Sequence, residues 1–132
     1  MQRLFTKRLI GFSGLSYAQR LSKANLCSLE LRRLHADLVM CYKIVHKEIS
    51  INCDNLFELD KHNRTRGHIF KLKSKRPRLD TRLHFFGYRV IAVWNSLSWS
   101  TIEATTVASF KRCLHDEYLS VFLQNDFDFV SV

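Results

Sequence analysis

Between Lys61 and Arg82 the chain reads KHNRTRGHIFKLKSKRPRLDTR, with nine Lys/Arg against one acid. This segment holds net +8 of the +9 carried by all 132 residues. Side chains of this type, strung along a strip punctuated by Gly67 and Pro77, do electrostatic rather than covalent chemistry. They neutralise a polyanion, independently of its sequence and with a steep sensitivity to salt. The candidate phosphate contacts are Arg64, Arg66, Lys71, Lys73, Lys75, Arg76, Arg78 and Arg82. His68 and Phe70 stand between the charges and could stack on unpaired bases, at ~1–3 kcal/mol per stacked base. For Phe70 and Leu72 the preferred reading is that they anchor the strip to the core. Arg32 and Arg33 form a second, smaller basic patch.

Covalent and metal chemistry find little support in the residue spacing. Gly11, Gly14, Gly67 and Gly87 are scattered, so no glycine-rich phosphate loop is formed. The carboxylates cluster only at Asp54/Glu58/Asp60 and at Asp116/Glu117, which read as solvated helix ends. Cys113 and His115 are two apart on an expected helix and therefore point away from each other. His84, among apolar neighbours, reads as a core or boundary residue. A zinc site drawn from Cys41, His46, Cys53 and His62 matches no finger or knuckle spacing. The four cysteines include no C-x-x-C pair and read as thiols of an intracellular chain. No catalytic residue, metal, cofactor or small-molecule substrate is expected, and the chain is not expected to be an enzyme on its own.

The elements that must position the strip are mostly helical. At 46% hydrophobic with ten Phe, the chain has core material for one domain. Residues 2–10 place Leu4, Phe5 and Leu9 on one helical side and Arg3 and Lys7 away from it. Ser16 can cap a short helix to about Ala24, with Tyr17 and Leu21 facing in. Ser28 starts the clearest helix, with apolar residues at Leu31, Leu34, Leu38, Cys41, Tyr42, Val45 and Ile49. Asp54 is expected to cap one or two turns that bury Leu56 and Phe57. From His68 to Lys73 the pattern alternates, as in a short strand or extended arm. A central helix follows from about Arg82 to Leu97, with Leu83, Phe86, Val90, Val93, Trp94 and Leu97 inward. Gly87 inside it costs ~1 kcal/mol relative to Ala, which points to close packing against another element. Ser98–Thr101 reads as a loop. Thr106 caps a last helix that turns Val107, Phe110, Leu114, Tyr118, Val121 and Phe122 inward. The expected architecture is mainly α: a bundle of four to five helices with a basic extended insertion. It forms a single domain over residues 1–123, with a flexible tail at 124–132.

The basic balance bears on partners. Nucleic acid, an anionic membrane face or an acidic protein could each answer a pI near 9.7. No apolar run approaches the ~18–20 residues that span a bilayer, which leaves a soluble or peripheral chain. The acid-free first 29 residues resemble a transit peptide in composition, but a basic helix belonging to the domain is the preferred reading. With no secretory segment, the sequon Asn63-Arg64-Thr65 is expected to stay unmodified. The protein is expected inside the cell, in nucleus or cytoplasm, and not secreted.

Fragments along the chain form an ordered series. Gln2-Arg3-x-Phe5-Thr6-Lys7-Arg8-Leu9 is followed by Leu15-Ser16-Tyr17-x-x-Arg20-Leu21 and Ser28-Leu29-Glu30-x-Arg32-Arg33. Asp37-Leu38, Tyr42-Lys43-Ile44, Leu56-Phe57-Glu58-Leu59 and Thr65-Arg66-Gly67-His68 come next. Pro77-Arg78-Leu79-Asp80 with Arg82, Phe85-Phe86, Arg89-Val90, Trp94-Asn95-Ser96-Leu97 and Ser109-Phe110-Lys111-x-x-Leu114 close it. This series resembles the region C-terminal to the polymerase palm in non-LTR (LINE-type, jockey-like) retrotransposon reverse transcriptases. The resemblance implies a truncated, non-catalytic piece of an RNA-directed DNA polymerase. The family's catalytic aspartates lie in the palm, and nothing here corresponds to them. Two departures stand out: Ser98 occupies the place of a usual Pro, and no Cys/His knuckle follows.

RNA and DNA are therefore the expected partners, held through residues 61–82, with no membrane partner and with self-association through exposed apolar surface as a further expectation. A recruited interaction protein docking an acidic partner is the alternative, beside a relic without function and an imported mitochondrial protein.

Overall fold

Ser28 begins the longest element by accepting a hydrogen bond from the Leu31 amide at 3.1 Å. Glu30 adds a carboxylate at the positive end of the helix dipole. Helix α3 then runs Leu29–Val45 and buries Leu31, Leu34, Leu38, Cys41, Tyr42 and Ile44 along one side. It stops short of Ile49, where the apolar spacing would have carried it. Lys47 adopts φ +58, the Lys47 amide bonds to Ile44 O, and the Glu48 amide bonds to Lys43 O at 2.8 Å. That pair of bonds satisfies the last carbonyls and turns the chain away.

The computed structural model describes residues 1–52, 56–61, 66–73, 78–79, 85–114, 119 and 121. Around α3 stand α1 (Gln2–Arg8), α2 (Tyr17–Lys23), α4 (Phe86–Ser96), α5 (Trp99–Ile102) and α6 (Val107–Cys113). Helix α3 packs against α4 and α6, α5 rests on α6, and α1 pairs with α2. The protein is mainly helical, a small bundle. Among the described residues the one pairing of extended chain is an isolated antiparallel bridge between Leu59 and Leu72.

Helix α4 crosses the middle of the core and buries Val90, Ile91, Val93 and Trp94. A Cβ at Gly87 would sit 2.9 Å from the carbonyl oxygen of Leu56, so α4 and the 56–61 segment touch backbone to side. Arg89 on α4 holds Asp37 on α3 with both arms, Nε to Oδ2 at 2.6 Å and Nη2 to Oδ1 at 2.9 Å. This paired grip raises the Arg89 pKa further. Ser16 forms a capping box with Gln19 at the start of α2, and Thr106 accepts from the Ser109 amide at the start of α6.

Several local expectations give way to tertiary contacts. Leu4 and Phe5 face solvent, and Thr6 is the buried residue of α1. Residues 56–60 are not helical, since Glu58 and Asp60 give their backbone groups to Lys73 and Lys71. Phe57 is buried there, whereas Leu56 is exposed. The segment after Ser98 is the short helix α5 rather than a loop. Helix α6 ends at Cys113, Leu119 is buried beyond it, and Val121 is 52% exposed rather than inward. Leu83, Tyr118, Phe122 and the tail 124–132 lie outside the described residues.

Candidate nucleic-acid interface

Residues 68–73 are carried by a hairpin-like contact and by α4. The Asp60 amide donates to Lys71 O at 2.8 Å, and the Lys73 amide donates to Glu58 O at 2.7 Å. In an antiparallel pair the intervening residue points its own backbone groups the other way. For Leu72 those groups meet Asn95: the Leu72 amide donates to Asn95 Oδ1 and Asn95 Nδ2 donates to Leu72 O, both at 2.8 Å. The side-chain amide of Asn95 thus stands in for a third strand. One residue earlier on α4, Trp94 Nε1 donates to Phe70 O at 2.9 Å. The main-chain oxygen of Trp94 accepts from His68 Nε2 at 3.1 Å. A helix end holds the strip at three alternate residues.

Those alternate residues also enter an aromatic cluster. His68 meets the edge of Trp94, Trp94 lies beside Phe110, Phe110 stacks on Tyr42, and Tyr42 lies against His46. His46 returns to the strip at Phe70, ring centroids 5.2 Å apart. Leu72 is buried, and Phe70 is half-buried. Both anchor the strip by their burial. His68 is only 2% exposed and so offers no face to a base. Its place among the stacking candidates is corrected on that ground: apolar packing takes the ring, because Trp94 and the strip close over it.

The charges sort by position. Arg66 and Arg78 are exposed, and so are Lys61 and Lys73. Lys73 meets Glu58 at 3.1 Å, and Lys71 is half-buried with its ammonium on the Arg66 carbonyl. Gly67, at φ +131, makes the turn that lets the Lys71 chain fold back. Arg32 and Arg33 are exposed on α3. Arg64, Lys75, Arg76 and Arg82 lie outside the described residues. A cleft of about 280 Å³ opens beside the hairpin, floored by Ile44, Phe57 and Leu72, with Lys47 and Lys61 at its edge.

Asn95 and the Asp37–Arg89 pair were missed from sequence. A polar residue directly after a fully buried tryptophan is the signal that could have flagged Asn95. Among the described residues, no three His, Cys, Asp or Glu come together as a metal-ion group. Cys41 is sealed in the core, which pushes its thiol pKa up, and His46 Nε2 donates to Ile102 O. Cys53 and His62 lie outside the described residues. Among those residues, no helix is long and apolar enough to cross a membrane.

Burial lowers the His68 pKa from 6.5, and nearby Lys71 adds to the effect, against the Trp94 hydrogen bond. Nε2–H donates to Trp94 O, and the buried Nδ1 lacks a described partner. The unfolded chain takes up a proton at higher pH than the folded one does. His68 therefore contributes full stability above pH 6.5 and loses it as pH falls below that value. His68→Gln, which keeps a donor but does not titrate, should flatten the acid-side fall of the melting temperature. An unchanged pH slope in that variant would remove His68 from the account.

Comparison with protein-family models, with curated proteins and with solved structures gives no match.

Proposed function

We propose that the chain is a non-catalytic, sequence-tolerant RNA/DNA-binding domain that works through the basic segment 61–82. The observation that carries this reading is the pinning of residues 68–72 onto α4 while Arg66 and Arg78 stay exposed. Binding then need not order residues 68–72, beside which Arg66 is exposed, and that lowers its entropic cost. The resemblance to the post-palm region of non-LTR reverse transcriptases supports the same reading. On it the domain handles template or target strands for an RNA-directed DNA polymerase whose chemistry lies in the palm.

Filter binding with single-stranded RNA across a salt series tests the reading. Affinity should lie in the non-specific range, about 10⁻⁴–10⁻⁶ M, and fall steeply with salt. Arg66→Glu with Arg78→Glu should weaken it more than about tenfold and reduce the log–log salt slope by about 1.4. Unchanged affinity at low salt in that double variant would remove the strip as the binding site.

A further inference from the structure

Helices α1 and α2 pair with polar contacts between them. Tyr17 Oη donates to Gln2 Oε1 at 2.7 Å, and Arg20 Nε donates to Thr6 Oγ1 at 3.2 Å. Arg20 Nη1 closes on the Leu15 carbonyl at 2.6 Å, and both Thr6 and Arg20 are buried. With Gln2 and Thr6 turned inward, spacings of three and four place Met1, Leu4 and Phe5 on the far side. Leu4 is 67% and Phe5 64% exposed, and Ile10 in the following turn is fully exposed. Burying Thr and Arg while presenting Leu and Phe to water reverses the ordinary preference and marks an interaction face.

Charge decides what fits that face. Residues 1–29 hold five Lys/Arg and no acid, and Arg3, Lys7 and Arg8 are exposed on α1 itself. A second copy laid on this face would bring like charges together. A protein groove reads an amphipathic helix through anchors reaching from i to i+7. The exposed apolar side chains of α1 are instead the neighbours Leu4 and Phe5, which do not form such a row. A bilayer surface asks for less, because a few apolar side chains enter the headgroup boundary while Lys and Arg reach anionic phosphates. We propose that the outer face of α1, Leu4 and Phe5 flanked by Arg3, Lys7 and Arg8, docks on an anionic lipid surface. This departs from the expectation of no membrane partner.

Cosedimentation of the full chain with phosphatidylcholine vesicles, with and without phosphatidylserine, tests the proposal. The chain should partition onto the phosphatidylserine vesicles and not onto phosphatidylcholine alone. Leu4→Ser with Phe5→Ser should lower that partition at least about tenfold with helix content unchanged. Lys7→Glu with Arg8→Glu should do the same, whereas Lys111→Glu with Arg112→Glu on α6 should leave it in place. Three outcomes would overturn the proposal. The Leu4/Phe5 variant could bind like the parent, which would put the attraction in the basic strip. The chain could ignore phosphatidylserine altogether. It could instead form a lipid-independent dimer that the Leu4/Phe5 variant dissolves.

Discussion

Trp94→Ala should remove about 3–5 kcal/mol from the folded state, the usual cost of deleting a large buried aromatic. Trp94 is fully buried, and its ring contacts join His68 of the strip to Phe110 of α6. The truncation also strands the Phe70 carbonyl, which accepts from Trp94 Nε1 at 2.9 Å. Total stabilities of small domains are about 5–15 kcal/mol, so the variant should lose a large share of its stability and melt at a markedly lower temperature. Urea unfolding followed by circular dichroism would read this directly. Trp94→Phe separates the parts, since it keeps most of the packing and loses only the donor, for about 1–3 kcal/mol. If Trp94→Ala costs less than about 1 kcal/mol, the central place of α4 in the core is wrong.

Asn95→Leu carries the second large effect, for a different reason. The two side chains are similar in size, so little volume is lost. The Leu72 amide and carbonyl, both bonded to Asn95 at 2.8 Å, would be left unpaired beside a half-buried leucine. Each stranded group costs about 1–3 kcal/mol. The loss should appear locally as well as globally. Amide exchange should quicken at Leu72 and Lys73 well before it quickens in α3. On the proposed function, RNA affinity should fall with it, since only molecules with an ordered strip would bind. Asn95→Asp should lie between, because it keeps the acceptor for the Leu72 amide and sets a carboxylate against the Leu72 carbonyl. Wild-type exchange at Leu72 in Asn95→Leu would show that Asn95 is not the strip's partner.

The helical character, the main caps and most of the core were legible in the residue order alone. Ser16, Ser28 and Thr106 cap helices where a hydroxyl precedes an apolar run, and each accepts a bond from an amide three residues on. Leu31, Leu34, Leu38, Cys41 and Tyr42 are buried as their spacing requires, and Gly87 meets another element as its cost implied. These are local signals: one turn of helix, one face, one close approach. The concentration of cations in 61–82 was equally plain, because composition needs no geometry.

Other features depend on which partners distant backbone groups find in the folded chain. Glu58–Asp60 pairs with Lys71–Lys73 instead of forming a helical turn, and no spacing within either segment announces that choice. His68 looked like one more accessible ring in a charged strip, yet the Trp94 carbonyl and the aromatic cluster draw it inside. On α1, periodicity put Leu4, Phe5 and Leu9 on one side, away from Arg3 and Lys7. Arg20 and Tyr17 satisfy Thr6 and Gln2, and that polar pairing turns the apolar side to solvent. A hydrophobic pattern says which residues share a side of a helix. Only the neighbouring element, through the groups it brings within hydrogen-bond reach, settles which side is covered.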